Sequence, residues 1–297
     1  MVDKIAFLGL GVMGGYMAAN LAKEGYQVKG WNRTPNRPGV DVATDDGVEV
    51  VAALEEAVAE AKIVFVCVGD VPDVEEVILG KGGVAEFADS GTLVVDMSTI
   101  GTEAAKRIGA ALEEREMSFL DAPVSGGDVG AKQGSLTIMV GGEEEDFARC
   151  QPFFAAMGKN ICLCGPVGSG QAVKMCNQVL GAVHMVALCE AMQLAKELGI
   201  DPNLIIEVCS TGAAGSWALA NLGEKIIQQD YQPGFAIAHM LKDLRLVKES
   251  TPRQGLPGVE IAERLFKIVE RLDGGKGKEQ GTQGMIRAYL EKPNNTF

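Results

Sequence analysis

One lysine lies within a long apolar stretch, and its neighbours suggest a chemical role. From Gly168 to Cys189, Lys174 is the only residue with a formal charge. On a helix, Asn177 and Gln178 would follow it three and four positions along the same face. A buried ammonium without a partner is costly, so this lysine either extends to the surface along its aliphatic stem or works in a cleft. In a cleft, burial would lower its pKa, and it could pass a proton to and from a substrate oxygen.

A second candidate site is a glycine-rich loop after a predicted strand. The segment DAPVSGG, 121–127, places Ser125, Gly126 and Gly127 just beyond the carboxyl end of that strand, where open α/β sheets bind ligands. Consecutive small residues expose backbone N–H groups and a hydroxyl, which can hold a carboxylate without a cationic side chain. The alternative is a hairpin-like connection whose glycines serve the turn alone.

A third candidate site is the spacing G-x-G-x-x-G formed by Gly9, Gly11 and Gly14. It follows a predicted strand and opens a predicted helix, which is the context in which this spacing binds a dinucleotide. The first glycine allows a tight turn, the second lets a pyrophosphate approach the backbone, and the third lets the helix pack on the strand. N–H groups at the helix N-terminus would bind the anion. The alternative is a glycine-rich turn with a structural role alone.

The end of the second predicted strand indicates which dinucleotide is bound. A site for NAD usually places an acidic residue here to hold the ribose 2′-hydroxyl. This chain has Asn32, Arg33 and Thr34 instead, with Arg37 nearby. A guanidinium and a hydroxyl suit a 2′-phosphate, and no carboxylate at this position repels it. We therefore expect NADP, with NAD as the alternative cofactor; chance arginines on a solvated loop would give no preference.

The elements that must position these residues divide the chain near Gly165. Short apolar runs alternate with helical patterns before it, which is typical of a doubly wound parallel sheet covered on both faces. No β-rich run follows it, so we expect an α/β domain over 1–165 and an all-α domain over 166–297. Strands are expected at 4–10, 26–31, 62–68, 92–97, 118–123, 136–142 and 161–165, and the later helices at 168–198, 202–210, 215–228, 239–254, 257–272 and 280–291.

The charge and hydropathy of the chain limit the kinds of macromolecule that it could bind. A net charge of −13 speaks against nucleic acid and anionic membranes, and the apolar stretch 179–189 is too short to span a bilayer. The N-terminus begins a strand rather than a signal peptide.

The cysteines, odd in number and without zinc-ligand spacing, indicate reduced thiols and no metal site. We expect a cytoplasmic protein, and a homodimer or homotetramer, because 179–195 is apolar on both helix faces.

The chain resembles the β-hydroxyacid dehydrogenase family in four segments, which occur in the family's order: GLGVMGGYMAANL, DAPVSGG, GSGQAVKMCNQ and PGFAIAHMLKDL (233–244). The resemblance covers nearly the whole chain. It implies a Rossmann-type NADP-binding domain and an all-α domain joined by a long helix. It also implies hydride transfer between NADP(H) and a small hydroxyacid or semialdehyde acid.

The resemblance implies roles for the residues that match the family's motifs. Lys174 matches its catalytic lysine, the general acid in reduction, and Asn177 would orient the substrate or that lysine. Thr99 would lie near the nicotinamide ribose, and Lys242, beside Asp243, would face the cofactor. The expected cofactor-binding residues are Gly9, Leu10, Gly11, Val12, Met13, Gly14, Asn32, Arg33, Thr34, Val68, Gly69, Thr99 and Lys242. The expected substrate-binding residues are Ser125, Gly126, Gly127, Asn177, Gln178, Ser216, Trp217 and Phe235.

Two departures from the family pattern bear on the substrate. Many members carry Asn-Asn after the lysine, where this chain has Asn177 and Gln178. Several reductases carry His two residues before the lysine of the KD pair, where this chain has Met240, with His239 one place earlier. We expect a reductase of succinic semialdehyde or glyoxylate. The alternatives within the family are dehydrogenases of 3-hydroxyisobutyrate, tartronate semialdehyde or serine.

Three further alternatives lie outside this group. A 6-phosphogluconate dehydrogenase would have His-Asn three and four residues after its lysine, and this chain has Asn177 and Gln178 there. An imine reductase usually lacks the lysine. A non-catalytic dinucleotide-binding regulator would keep the glycines but would have no need for Lys174 together with Ser125.

Overall fold

The computed structural model describes residues 4–251 and 255–290. The chain divides into two compact units, Met1–Lys174 and Met175–Phe297, called here the N-terminal and C-terminal units. The boundary between the units, after Lys174, lies inside a helix that begins at Ser169. The sequence predicts the boundary slightly earlier, at residue 165.

The N-terminal unit is built on a nine-stranded sheet with the order β3-β2-β1-β4-β5-β6-β8-β7, and β9 pairs with β8. Strands β1 to β6 run parallel, β8 is antiparallel to both β6 and β7, and β9 is parallel to β8. The strands are β1 Lys4–Leu8, β2 Gln27–Trp31, β3 Glu49–Val50, β4 Ile63–Val66, β5 Leu93–Asp96, β6 Ser118–Asp121, β7 Val124–Ser125, β8 Leu136–Gly141 and β9 Gly158–Gly165.

Helices cover both faces of this sheet, which confirms the doubly wound Rossmann-type fold. Phe7 and Phe65 stack in one core, with 5.9 Å between ring centroids, while the alternate residues Leu8 and Val66 point into the other core. The helices of this unit before Ser169 are α1 Val12–Lys23, α2 Pro38–Asp45, α3 Leu54–Val58, α4 Val71–Leu79, α5 Val84–Phe87, α6 Thr102–Glu113, α7 Gly127–Lys132 and α8 Glu144–Met157. Helices α1 and α8 contribute to the first core, and α3 to α6 to the second.

The described part of the C-terminal unit is helical, as predicted, with α9 beginning before it. The α-helices are α9 Ser169–Glu197, α10 Pro202–Cys209, α11 Trp217–Ile227, α12 Ile237–Ser250, α13 Pro257–Glu270 and α14 Arg287–Leu290. Capping sets two of these starts, because Asp201 and Ser216 accept backbone hydrogen bonds at the first turns of α10 and α11.

The prediction of a helix over 280–291 is confirmed in part, because the described chain is helical from Thr282 to Leu290 but is an α-helix only from Arg287. Thr282–Ile286 is a 3₁₀ turn that precedes the short α14. The 3₁₀ segment ahead of it, Leu272–Glu279, is interrupted by positive φ values at Asp273, Gly274 and Gly275. The N–H of Gly281 donates to Tyr231 O at 2.9 Å, and that of Thr282 donates to Phe235 O at 3.1 Å. These two hydrogen bonds attach the chain to the 231–235 segment just where the 3₁₀ turn begins.

Helix α9 is longer than the apolar stretch 179–189 that the sequence analysis measured. It has 29 residues, and its most apolar window has a mean hydropathy of 1.3 and is 39% buried. By length and composition alone it could cross a membrane, contrary to that expectation. The core helix of a soluble protein passes the same test, so the finding is weak support for a membrane span.

Candidate active site

The first glycine-rich loop forms a backbone cradle at the end of β1. Gly9 has a φ of +98°, and a Cβ there would overlap Cys67 O. A Cβ at Gly14 would overlap Gly9 O, so the start of α1 packs directly on the turn. At Gly11, by contrast, a Cβ would meet nothing within 4 Å. The loop therefore leaves open space beside its middle glycine, which fits the approach of a pyrophosphate.

The three non-glycine residues of this loop differ in their surroundings. Leu10 is fully buried and packs in the core, so it serves the loop as a core residue. Met13 is partly buried against the same core. Val12 is 58% exposed, although it is the first residue of α1.

Asn32 ties this loop to the end of β2. Its Oδ1 accepts from the N–H of Leu10 at 2.9 Å, and its Nδ2 donates to Thr34 O at 2.6 Å. The residue at the expected position of an NAD-type carboxylate thus fixes the shape of two adjacent loops. Thr34 and Arg37 are exposed beside it.

Arg33 makes contacts that the sequence analysis missed. Its guanidinium lies 2.9 Å from Asp73 Oδ1 and 3.2 Å from Glu76 Oε2, both on α4. The three side chains are partly or largely exposed, so the pairs are weak. A 2′-phosphate bound by Arg33 would lie close to two carboxylates. A single sequence contains no signal for these pairs, because Arg33 and Glu76 are 43 positions apart.

The carboxyl ends of β4 and β5 bring Val68, Gly69 and Thr99 to the same edge of the sheet as the cradle. The N–H of Val68 donates to Ser98 Oγ at 2.9 Å, which joins the two loops. Gly69 is exposed, and Thr99 is partly buried. This edge, beside the reversal of strand order between β1 and β4, is where open α/β sheets bind dinucleotides.

Lys174 lies in the second turn of α9 and is only 5% exposed. Its Nζ donates to Val124 O at 2.8 Å. The alternative considered from the sequence, a lysine whose side chain extends to the surface, is inconsistent with this burial. The ammonium is instead held beside the residue that precedes Ser125, so the lysine and the 125–127 loop lie together.

The 125–127 loop combines a strand with two left-handed glycines. Ser125 ends β7 and pairs with Thr137 of β8 in an antiparallel ladder. Gly126 and Gly127 have φ values of +136° and +64°, which other residues rarely adopt. The hairpin-like alternative is therefore present in the backbone, and it occurs next to the buried ammonium of Lys174.

Asp121 is a buried carboxylate at the end of β6 that the sequence analysis did not single out. It accepts from the N–H of Gly168 at 2.6 Å and from that of Gln171 at 2.8 Å. Burial raises its pKa to about 7, against the effect of these two hydrogen bonds, and the charge of Asp96 raises the pKa further. Two polar residues within the quoted motifs, Asp121 of DAPVSGG and Gln171 of GSGQAVK, could have indicated this buried contact.

Within the C-terminal unit, Asn177 and Gln178 belong to a polar chain. Gln178 is 4% exposed; its Oε1 accepts from Asn177 Nδ2 at 2.8 Å, and its Nε2 donates to Asp243 Oδ2. Lys242 Nζ lies 2.9 Å from Asp243 Oδ1. The amide of Gln178 therefore binds protein partners at both ends, which leaves Asn177 as the more available of the two.

The other three residues of this unit that the sequence predicts to bind substrate, Ser216, Trp217 and Phe235, are more exposed than Gln178. Ser216 caps α11, because its Oγ accepts from the N–H of Leu219 at 3.1 Å. Trp217 is 66% exposed. The ring of Phe235 lies 5.8 Å from that of His239.

All seven cysteines are free thiols, and the two on β9, Cys162 and Cys164, are exposed and partly buried respectively. Across residues 4–251 and 255–290, no group of three or more His, Cys, Asp or Glu side chains could hold a metal ion.

Two family models match this chain, one over each part. Residues 4–165 match the family model described as the NAD binding domain of 6-phosphogluconate dehydrogenase. Residues 168–289 match the model described as NAD-binding of NADP-dependent 3-hydroxyisobutyrate dehydrogenase. These matches show that the cofactor is a nicotinamide dinucleotide.

Relatives and a solved structure match over nearly the full chain. An uncharacterised oxidoreductase of Synechocystis is 53% identical over 98% of this chain and 99% of its own. The 2-hydroxy-3-oxopropionate reductase of Escherichia coli is 38% identical over 89% of this chain and 90% of its own. The structure of 3-hydroxyisobutyrate dehydrogenase from Mycobacterium tuberculosis with L-serine has a TM-score of 0.87 at 32% identity, and the match covers 97% of this chain and 99% of that one. The chain therefore belongs to the β-hydroxyacid dehydrogenases, a family of oxidoreductases.

Proposed function

We propose that this protein is an NADP-dependent reductase of small semialdehyde acids, with Lys174 as the general acid. One observation carries the proposal: the ammonium of Lys174 is buried and bound to Val124 O at 2.8 Å, next to Ser125. A proton donor is thus adjacent to a loop whose N–H groups and hydroxyl suit a carboxylate. A regulator that only binds the dinucleotide would gain nothing from a buried ammonium at this place.

The residues divide the reaction into binding and proton transfer. The bound dinucleotide supplies the hydride for reduction and accepts it in the reverse direction. Lys174 gives a proton to the carbonyl oxygen as it gains negative charge, and it takes the proton back when an alcohol is oxidised. Ser125 and the backbone of Gly126 and Gly127 hold the substrate carboxylate, so that the carbonyl faces Nζ.

We propose succinic semialdehyde or glyoxylate as the substrate class, a carboxylate with a nearby aldehyde. Tartronate semialdehyde is the second candidate, because a relative with 38% identity is named for its chemical equivalent, 2-hydroxy-3-oxopropionate. Oxidation of 3-hydroxyisobutyrate or L-serine is the third candidate, since the similar Mycobacterium tuberculosis enzyme bears the first name and was solved with the second molecule.

The preference for NADP over NAD rests on Arg33 and Thr34 and on the amide of Asn32 where an acidic residue would otherwise hold the ribose. The carboxylates of Asp73 and Glu76 on the Arg33 guanidinium act against it. We propose that the preference is real but limited, because these partners compete with a 2′-phosphate.

We also propose a cytoplasmic homo-oligomer. Large apolar side chains are exposed on α9 and α10, including Leu194 at 57%, Leu204 at 49% and Val208 at 60%. A second copy of the chain would cover such a surface. The negative net charge of −13 disfavours binding to anionic membranes.

Initial rates with the purified protein test the function. NADPH and NADH are each combined with succinic semialdehyde, glyoxylate, tartronate semialdehyde and methylmalonate semialdehyde, and NADP with 3-hydroxyisobutyrate and L-serine. We expect turnover of at least one aldehyde, faster with NADPH. Tight NADPH binding without turnover of any compound would contradict the proposal and support the regulator.

A further inference from the structure

The side chain of Gln171 connects the first turn of α9 to the loop after β5. Gln171 is fully buried. Its Oε1 accepts from the N–H groups of Ile100 at 3.0 Å and Gly101 at 3.1 Å, and its Nε2 donates to Ser98 O at 2.8 Å. These hydrogen bonds bracket Thr99, the residue expected beside the nicotinamide ribose. One amide therefore links the helix of Lys174 to a loop of the cofactor edge.

Asp121 fixes the backbone of the same turn. Its carboxylate accepts from the N–H groups of Gly168 and Gln171, two of the donors that the helix start leaves without helical partners. Asp121 thus holds the backbone of Gln171, while the side chain of Gln171 holds the 98–101 loop.

Glycines at this contact leave no space for the turn to shift. A Cβ at Gly170 would overlap Met139 O, and a Cβ at Gly141 would overlap Asp121 Oδ1. The helix start is therefore packed backbone against backbone on the ends of β6 and β8. Lys174 follows Gln171 by three residues, so any movement of this turn moves its Nζ.

We propose that Gln171, with its backbone held by Asp121, is a positioning residue that sets the place of Lys174 relative to the 98–101 loop. The inference rests on the proposed function, because it takes Lys174 as the proton donor. A shift of about 1 Å in a reacting group can lower a rate about 10²-fold. Loss of the Gln171 amide also leaves buried donors and an acceptor unsatisfied, so the loop and the turn would separate.

The first test replaces Gln171 by Met, which keeps the length of the side chain and removes its hydrogen bonds. We expect kcat for the aldehyde substrate to fall about 10- to 100-fold, while KM for the aldehyde changes less than about 3-fold. Gln151→Ala, an exposed position on α8, is the control and should behave as wild type. Equal kcat in Gln171→Met and wild type would overturn the inference.

The second test replaces Gln171 by Glu and uses pH as the variable. A protonated carboxyl can accept from Ile100 and Gly101 and donate to Ser98 O, whereas an ionised one cannot donate. We expect kcat relative to wild type to be high at low pH and to fall as pH rises. The ionisable groups around this turn include Asp121 on β6, Asp96 on β5, Cys164 on β9, Lys174 on α9 and Lys106 on α6, whose Cε lies 3.3 Å from the Cβ position of Gly168. A kcat ratio independent of pH, in protein that stays folded, would contradict positioning.

A third readout does not require turnover. Acetylation of Lys174 by an amine-reactive ester, followed by mass spectrometry, reports how closely its Nζ is held. We expect faster labelling in Gln171→Met than in wild type and in Gln151→Ala. If the wild type reduces no aldehyde, the proposed function fails, and the labelling contrast still decides the inference. Equal labelling in all three proteins would overturn it.

Discussion

At the residue scale, the structure buries one lysine side chain, that of Lys174, although lysines usually lie at the surface. Lys174 is 5% exposed and binds Val124 O. The carbonyl of Val124 holds the Nζ group at a fixed place beside the 125–127 loop. The burial and this partner, rather than the residue type, make it a candidate for acid catalysis.

Replacement of Lys174 by Ala should lower kcat about 10²- to 10⁴-fold, the usual contribution of general acid catalysis. Binding of NADPH, measured by fluorescence titration, should change little, because the glycine cradle lies elsewhere in the N-terminal unit. Lys132→Ala, an exposed lysine at the end of α7, is the matched control. Activity of Lys174→Ala within a few-fold of wild type would remove the lysine from the mechanism.

Asp121 should make stability depend on pH in an unusual direction. Its pKa is raised in the folded protein to about 7, so between about pH 4 and pH 7 the folded state holds a proton that the unfolded state releases. The free energy of unfolding therefore falls as pH rises through this window, by at most about 4 kcal/mol, and levels off above it.

Urea denaturation of wild type and Asp121→Asn at intervals from pH 4.5 to 8 measures this contribution. We expect wild type to lose stability relative to the variant as pH rises to about 7, and the difference to be constant above that. A difference that stays flat across the whole range would show that Asp121 does not titrate there.

At the scale of elements, helix α4 presents two carboxylates to the arginine on which the proposed NADP preference rests. Asp73 and Glu76 both bind the guanidinium of Arg33, and a bound 2′-phosphate would experience their charge. The effect is electrostatic and partly exposed, so it should weaken as salt rises. On the proposed role of Arg33, the carboxylates of this helix therefore oppose the binding of a 2′-phosphate.

The double variant Asp73→Asn with Glu76→Gln should raise the affinity for NADPH relative to NADH about 3- to 30-fold, as expected when repulsion of a few kcal/mol or less is removed. Glu75→Gln, on the same helix but paired with Arg107, is the control. Calorimetric titration at low and high salt measures the ratio. An unchanged ratio at low salt would mean that α4 has no part in the preference.

The sequence predicted the elements that carry their own signal. Continuous apolar runs marked β1, β4 and β5, because strands buried on both faces need such residues. The two-residue strands β3 and β7 carry no periodicity and exist only through their partners. The antiparallel direction of β8 was likewise missed, since direction depends on the path of the chain between strands.

The candidate site was predictable in its residue types but not in its contacts. Lys174 and Ser125 were expected from motifs, whereas the bond from Nζ to Val124 O joins positions 50 residues apart. The same holds for Arg33 with Glu76 and for Gln178 with Asp243. Such pairs depend on the folded backbone, and a single sequence contains no signal that joins them.

At the scale of the whole molecule, the exposed apolar surface of α9 and α10 predicts self-association. Light scattering after size exclusion should give a mass of two or four times 31.3 kDa. Leu194→Glu should reduce that mass, because a carboxylate in an apolar interface is costly. Ile261→Glu, at 40% exposure on α13, is the comparison outside this surface. A wild-type mass of one chain at micromolar concentration would contradict the expectation.

The two hydrogen bonds of Asn32 bear on attempts to redesign the cofactor preference. A design meant to strengthen the binding of NAD would first install Asp at this position, since a carboxylate binds the ribose 2′-hydroxyl. Such a carboxylate would keep the acceptor for Leu10 N but would face Thr34 O, which now lies 2.6 Å from the Asn32 amide nitrogen. The substitution would exchange an attraction for a repulsion in the loop itself. A useful design would therefore rebuild residues 32–37 as one piece rather than change a single side chain.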